Sequence, residues 1–400
     1  MNKKAVIYGG GNIGRGFIGQ LFYESGYATA FIDINKEMIN QLNEKREYPI
    51  KFTDIEPEIM IKNVRGIDGE NHAGIADAIA EADIMATSVG ANILKFIMQP
   101  VAEGINKRFT DSDAQPLNII LCENLIDADK IMRDGVREYI AADFKDLYDE
   151  KIGFIEASVG RVVPNQTDEM KAGNLLRIVA ESYKYLPVDK DAFKGEIPEI
   201  KNMTAYSPFE YFIERKLYIY NMGHAVCAYL GDIFGYNYIW QAIQDPYIEL
   251  ITMKVMQRSA FALAKKYRAD IVELNAYIEN LIYRFENKIL GDTVKRVGND
   301  LKRKLSPNDR ITGAYKICLE NGVPVHYLCL AIAAAINFKS DKLSGESLES
   351  ILKEAGSFDL LADNFASIKK YDEIIKSGAS IKDLFYAVKG DENIINAEVI

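Results

Sequence analysis

Short, continuous apolar runs punctuate the first half of the chain: "KAVIY" from Lys4, "TAFID" ending at Asp33, "ADIMATSVG" from Ala82, "LNIILCEN" from Leu117 and "IGFIEASVG" from Ile152. Each closes on small or polar residues and none alternates strictly, which is how a strand buried on both faces of a parallel sheet reads. Helix-like stretches, Gly14–Ser25 and Lys36–Glu44 among them, lie between the runs. Strands alternating with helices predict a doubly wound, Rossmann-type α/β domain. The order "PIKF" then "EIMIKNVRG", between Pro49 and Gly66, predicts a small β excursion after the second strand.

The pattern changes after about Leu186. "LPVDKDAFKGEIPEIKN" mixes turn residues with charge, as a crossover between domains does. From Phe209 onward apolar positions recur at helical spacing almost to the end. In "QDPYIELITMKVMQRSAFALAKKY", Asp245 is placed to cap a helix and Pro246 suits its first position. Ile248, Ile251 and Val255 mark the buried stripe of that helix, and Met253 and Met256 read as core filling. The tail "KYDEIIKSGASIKDLFYAVKGDENIINAEVI" predicts a helix followed by a loose end. The predicted organisation is an α/β domain over 1–190 and a mainly α-helical domain over 191–400.

Composition narrows the function. The formal net charge of −10 argues against a general nucleic-acid or anionic-membrane binder, since phosphates would be repelled. No stretch approaches the roughly 20 apolar residues that span a bilayer, and the apolar run in "MNKKAVIYGGG" is too short for a signal peptide. Cys122, Cys227, Cys318 and Cys329 are isolated, which fits a reducing cytoplasm. With only His72, His224 and His326 beside them, no metal site is expected. Oligomeric state stays open.

The first strand runs into "GGGNIGRGFIG". Gly9, Gly11 and Gly14 fit G-x-G-x-x-G between a strand and a helix, with Asn12 and Ile13 in the same loop. The first glycine allows the tight turn, the second a close approach to a pyrophosphate, the third close helix–strand packing. The helix N-terminus then offers unpaired N–H groups and a positive dipole end to the phosphates. Asp33 closes the second strand, where a carboxylate can bind the ribose hydroxyls. Asp33 repels a 2′-phosphate and no Arg follows it directly, so NAD is expected over NADP, with Lys36 the one opposing feature. Val89 and Gly90, ending another strand on the same side, are further cofactor contacts; close packing alone also explains small residues there.

In the second half, "ERKLYIYNMGHAVCAYLG" spaces Lys216, Asn221 and His224 as K-x4-N-x2-H. At 100° per residue these fall within an arc of roughly 140° and can face one cleft. A neutral Lys can take a hydroxyl proton while hydride leaves the same carbon, with Asn and His donors on the developing oxyanion. A solvated Lys, a polar Asn and a half-buried His on an ordinary helix would look the same. The basic run "KRVGNDLKRK" has a bland reading too, as a solvated face, beside a functional one as a clamp on a phosphate or polyol. His326, against an apolar helix, reads as core.

"GGGNIGRGFIG", "ERKLYIYNMGHA", "RFENKILGDTVKRVG" and "RKLSPNDR" occur in one order that resembles the polyol-specific long-chain dehydrogenase family, from the first strand to about Phe338. The resemblance implies an N-terminal Rossmann-type domain that binds NAD and a helical domain that binds the sugar. It implies that Lys216 is the catalytic base with Asn221 and His224 as partners. It also implies that Asn124 lies near the reacting hydroxyl and that Arg296 and Lys304 belong to the substrate region. The implied reaction is metal-free hydride transfer, mannitol 1-phosphate to fructose 6-phosphate and back. The same chemistry on free mannitol or altronate is an alternative, and a non-catalytic NAD-binding sensor a remote one. The family commonly has Asp before the Arg of "DRIVP"; this chain has Gly160 before Arg161, which leaves substrate identity open. Glu156 nearby could replace that carboxylate if the strand turns its way.

Overall fold

The computed structural model describes residues 3–125, 127–339 and 346–398. The chain divides into two compact units, Met1–Phe209 and Glu210–Ile400.

In the first unit the strands are β1 (Lys3–Tyr8), β2 (Tyr27–Asp33), β3 (Glu47–Phe52), β4 (Ile59–Lys62), β5 (Val64–Asp68), β6 (Ile84–Thr87), β7 (Leu117–Leu121), β8 (Ile152–Glu156), β9 (Ile178–Ala180), β10 (Leu186–Asp189) and β11 (Met203–Tyr206). Six of them form one parallel sheet in the order β5-β2-β1-β6-β7-β8. Successive side chains of a strand enter different cores: Ala5, Ile7 and Phe31 pack on one face of the sheet, Val6, Tyr8, Ala30 and Ile32 on the other. Burial on both faces is why these runs are continuously apolar. The strand order reverses between β1 and β6, so a crevice opens at their carboxyl ends. Gly9 follows β1 and Ser88–Gly90 follow β6 at that point.

The run "EIMIKNVRG" does not stay in one sheet. Asn63 adopts a left-handed φ of 56°, a conformation Asn tolerates, and cuts the run in two. β4 pairs antiparallel with β3 in a small sheet that β9 completes, while β5 becomes the edge of the main sheet beside β2. The crossover holds a further element, a parallel pair of β10 and β11.

The second unit is helical and built on one apolar core. His326–Ile336 runs through it, with Tyr327 and every later residue of that helix buried. Asp245 caps Pro246–Tyr267 as the sequence predicts, its Oδ1 accepting the Tyr247 N–H at 2.9 Å and the Ile248 N–H at 3.3 Å. The predicted loose end is a correction: Ile381–Glu398 is helix. Ser380 starts it, its hydroxyl accepting the Asp383 N–H while the Asp383 carboxylate accepts the Ser380 N–H. Arg258 pins it by donating from Nε to Glu392 at 2.9 Å.

Candidate active site

In the first unit the glycine loop is shaped by contacts that leave no room for side chains. Gly9 has φ of +101°, and a Cβ there would lie 2.6 Å from the Ser88 carbonyl oxygen. A Cβ on Gly14 would lie 2.0 Å from the Gly9 oxygen, whereas one on Gly11 would meet nothing within 4 Å. The loop is therefore closed on its inner side and open at Gly11, where a pyrophosphate needs access. The Ser88 hydroxyl donates to the Gly9 carbonyl at 2.9 Å, tying the loops after β1 and β6 together.

The helix that follows is not uniformly α. Gly14–Ile18 is a π turn, in which the Gly19 N–H reaches back five residues to the Gly14 carbonyl. Buried side chains donate to carbonyls of this turn as well. Tyr48 donates to the Arg15 carbonyl at 2.8 Å, and Arg161 donates to the Gly16 carbonyl at 2.7 Å and to Gln20 at 2.7 Å. Arg15 itself donates to the Gly10 carbonyl at 2.6 Å and to Leu176 at 2.7 Å. Burial pushes the Arg161 guanidinium down to about 10, with Glu24 opposing the shift. Sequence reasoning missed Arg15 as part of this cradle, although it directly follows the third glycine. Asn12 donates to the Pro164 carbonyl at 3.1 Å, and Ile13 next to it is half-buried.

Asp33 ends β2 with its carboxylate on the loop: Oδ2 accepts the Gly10 N–H at 2.8 Å and Oδ1 the Asn35 N–H at 2.9 Å. A carboxylate has about four acceptor positions, so two remain for ribose hydroxyls. Lys36 is engaged by acids, at 2.5 Å from Glu70 and 3.6 Å from Asp68. The Glu70 hydrogen bond and the Asp68 charge raise its pKa. This neighbourhood of carboxylates repels a 2′-phosphate. The Val89 and Gly90 N–H groups donate to Glu123 at 2.9 and 2.7 Å, so that carboxylate stands at the carboxyl edge of β7, beside exposed Asn124.

In the second unit the K-x4-N-x2-H triplet lies across a second π turn. Glu210–Arg215 is α, Lys216–Asn221 is π, and Met222–Ile233 is α again. The Met222 N–H donates to the Leu217 carbonyl, five residues back. Five-residue closure puts Asn221 one turn above Lys216, and His224 follows three residues on. The uniform α spacing expected from sequence spreads the triplet more widely than this. Ile219, Met222, Ala225 and Val226 are buried, while Lys216, Asn221 and His224 are half-exposed, as are Leu217, Tyr218 and Tyr220 beside them.

His224 is held on several sides. Its ring lies nearly parallel to those of Tyr220 (5.9 Å, 8°) and Phe285 (4.9 Å, 16°). Its Nε2 is 3.3 Å from Asp292 Oδ2, and the other carboxylate oxygen pairs with Arg296. Burial alone would raise the Asp292 carboxyl; the His224 hydrogen bond and charge, with Arg296, carry it below the ordinary carboxylate range. Asp292 was not singled out from the sequence, although it stands inside the quoted "RFENKILGDTVKRVG".

The basic run is not one free face. Arg303 pairs with Asp300 and Asp309 at 2.5 and 2.9 Å, and Lys302 with Glu354 at 3.2 Å. Lys304 is 4% exposed and donates to the carbonyls of Val297 (2.6 Å) and Asn299. Burial, with Arg310 and Arg303 adding, pushes its ammonium down to about 8. Arg296 stays exposed. Gly160 packs on Tyr183: a Cβ would lie 2.9 Å from the ring, so an aspartate there needs that ring to move. Among the described residues, no three His, Cys, Asp or Glu side chains gather as a metal site.

A glycine-shaped crevice at the switch point of a parallel sheet, followed by a helical unit bearing a Lys–Asn–His face, is the design of a two-domain dehydrogenase. Residues 3–202 match the mannitol dehydrogenase Rossmann domain and 209–385 the mannitol dehydrogenase C-terminal domain. The chain belongs to the mannitol dehydrogenase family. It is 39% identical to a mannitol-1-phosphate 5-dehydrogenase of Brevibacillus brevis, over 88% of this chain and 90% of that protein. To one of Thermoanaerobacter pseudethanolicus it is 39% identical, over 84% of this chain and 86% of that protein. Substrate-free D-sorbitol dehydrogenase shares the fold at a TM-score of 0.79 and 16% identity, over 96% of this chain and 95% of that one. Pseudomonas fluorescens mannitol 2-dehydrogenase, solved with NAD and D-mannitol, does so at 0.69 and 13%, over 98% and 95%.

Proposed function

We propose that the protein is an NAD-dependent mannitol-1-phosphate 5-dehydrogenase, interconverting mannitol 1-phosphate and fructose 6-phosphate. The observation that carries this is the π turn, which brings Lys216 and Asn221 onto one face of a helix in a relative of mannitol-1-phosphate 5-dehydrogenases.

The first unit holds the cofactor: the loop Gly9–Gly14 receives the pyrophosphate, Asp33 the adenosine ribose, and Val89 and Gly90 line the crevice after β6. The loop fits the group, being open at Gly11 and blocked to any side chain at Gly9 and Gly14. NAD supplies the acceptor for the hydride that leaves carbon 5. Lys216, as the neutral amine, takes the proton of the 5-hydroxyl; in the reverse direction its ammonium returns a proton to the ketone oxygen. Asn221 and His224 donate to that oxygen as negative charge develops on it. Arg296, with a planar fork of donors, grips the phosphate. Lys304 supports the loop before it from below, and Asn124 contributes a further contact to the sugar. Four buried cysteines, none in a disulfide, suit a cytoplasmic setting.

The test is NADH absorbance over a panel of mannitol 1-phosphate, mannitol, glucitol 6-phosphate and altronate. Mannitol 1-phosphate should give the highest kcat/KM, and Arg296→Ala should raise KM for the ester far more than for the free polyol. Equal use of mannitol and its phosphate would remove the phosphate from the reading.

A further inference from the structure

Asp292, in the second unit, touches two candidate site residues at once. One oxygen faces His224 Nε2 at 3.3 Å and the other Arg296, and the carboxylate is only 14% exposed. A contact of 3.3 Å is long for a hydrogen bond, as catalytic contacts often are before substrate tightens them.

We propose that Asp292 is a positioning residue that sets the tautomer of His224 with one oxygen and the pose of Arg296 with the other. An ionised carboxylate only accepts, so the nitrogen facing it must carry the hydrogen; Nδ1 is then left for the substrate, accepting from a hydroxyl when the ring is neutral and donating to the reacting oxygen only when the ring carries its second proton. The stacked rings of Tyr220 and Phe285 hold the imidazole plane, but stacking does not distinguish a ring from its flipped form. Among the contacts of the described residues, the carboxylate does. Because the same carboxylate holds Arg296, the group that grips the phosphate and the group that steadies the reacting oxygen share one anchor. Binding of the ester at Arg296 is thereby felt at His224, and a polyol without phosphate leaves that path unused. The part about Arg296 and turnover rests on the function proposed above; the tautomer of His224 does not.

The experiment has a substrate-free arm and a kinetic arm. The chain has three histidines, so imidazole ¹⁵N signals are few, and those of His224 are identified by their loss in His224→Gln. Wild type should show His224 protonated at Nε2, and Asp292→Asn should change that tautomer while leaving His72 and His326 unaltered. A wild-type His224 protonated at Nδ1 alone, or signals indifferent to Asp292→Asn, overturns the proposal, and the wild-type measurement stands even if the variant does not fold. In kinetics, Asp292→Asn should lower kcat on mannitol 1-phosphate by roughly 10- to 10³-fold and also raise KM for the ester. In the His224→Ala background it should lower kcat little further, because the two act as one unit. Independent, multiplying losses in kcat would show that Asp292 does not act through His224. If wild type turns over no polyol at all, the function falls, while the spectra still decide the tautomer.

Discussion

Among the described residues there are two π turns, one in each candidate site, and they are built in opposite ways. Gly14–Ile18 carries two glycines, and its consequence is the course of the backbone: two of its carbonyls accept from Tyr48 and Arg161, and the loop before it stays open at Gly11. Lys216–Asn221 contains no glycine, and its consequence is which side chains line up. One extra residue per turn serves in the first case to shape a cradle and in the second to bring an amine and an amide onto one face. A site made of backbone writes itself into the sequence as glycine. A site made of side chains writes only a spacing, and the spacing has to be read with the right period.

The comparison breaks first at Lys216. Lys216→Ala should lower kcat on the order of 10²–10⁴-fold, the usual range for a lost general base. NAD affinity, measured by fluorescence titration, should stay within a factor of two, on the order of 0.4 kcal/mol, because the glycine cradle belongs to the other unit. The base acts neutral and the acid charged, so polyol oxidation should rise with pH in wild type while ketone reduction falls. Near-normal turnover in Lys216→Ala, with the pH profile retained, places the base elsewhere.

Gly14→Ala strikes the backbone-built turn instead. Its Cβ would sit 2.0 Å from the Gly9 carbonyl, and that backbone oxygen has no side chain to swing away. An overpacked site of this kind costs about 1–3 kcal/mol or more, which should appear as a lower melting temperature and at least tenfold weaker NAD binding. Gly11→Ala should be milder for folding and still harmful to NAD binding, since its Cβ would enter the open space. If both variants bind NAD as wild type does, the pyrophosphate lies elsewhere.

How much was legible follows the same division. The continuous apolar runs and the glycines disclosed the Rossmann-type sheet and the loop after β1, because burial on both faces and steric exclusion act on residue identity directly. The edge strand β5 was hidden, since a single left-handed Asn63 splits a run that reads as one element. The last helix was hidden by the polarity of its exposed face, though its Ser380–Asp383 start signal is present. In the second unit the Lys–Asn–His spacing was visible, but the π turn that aligns it depends on hydrogen-bond register, which no residue type announces. Asp292 escaped because His224, the partner that gives it meaning, lies 68 positions back. A helical period finds neighbours within a turn or two, never across a fold.

A subtler test concerns Asp33. Asp33→Ala should reduce the preference for NAD over NADP by about tenfold or more, as the carboxylate's hydrogen bonds and its repulsion of a 2′-phosphate disappear together. It also removes the acceptor of the Gly10 N–H, so NAD binding itself should weaken. The ratio of kcat/KM for the two cofactors decides it: a wild-type preference for NADP would mean that Lys36 escapes Asp68 and Glu70 to hold the phosphate.

The smallest effect belongs to a side chain in the backbone-built unit. Glu156 closes β8 with its carboxyl pushed up to about 7, first by burial and then by Asp129, Asp127 and Asp189. It is neutral in the fold over a range where the unfolded chain ionises it, from its ordinary 4.5 up to about 7. The folded state then binds more protons than the unfolded state, so this group's contribution is full below pH 4.5 and is lost as pH rises through 7. Above that pH the fold carries an unfavourable buried charge among other carboxylates. Glu156→Gln removes it while keeping the shape. Relative to wild type the variant should gain about 1–2 kcal/mol at pH 8, discounted for the water that still reaches the group, and almost nothing at pH 4. Urea midpoints of the two proteins across that range measure it. A difference that does not grow with pH would mean that Glu156 is already charged in the fold at low pH, with its acidic neighbours turned away from it.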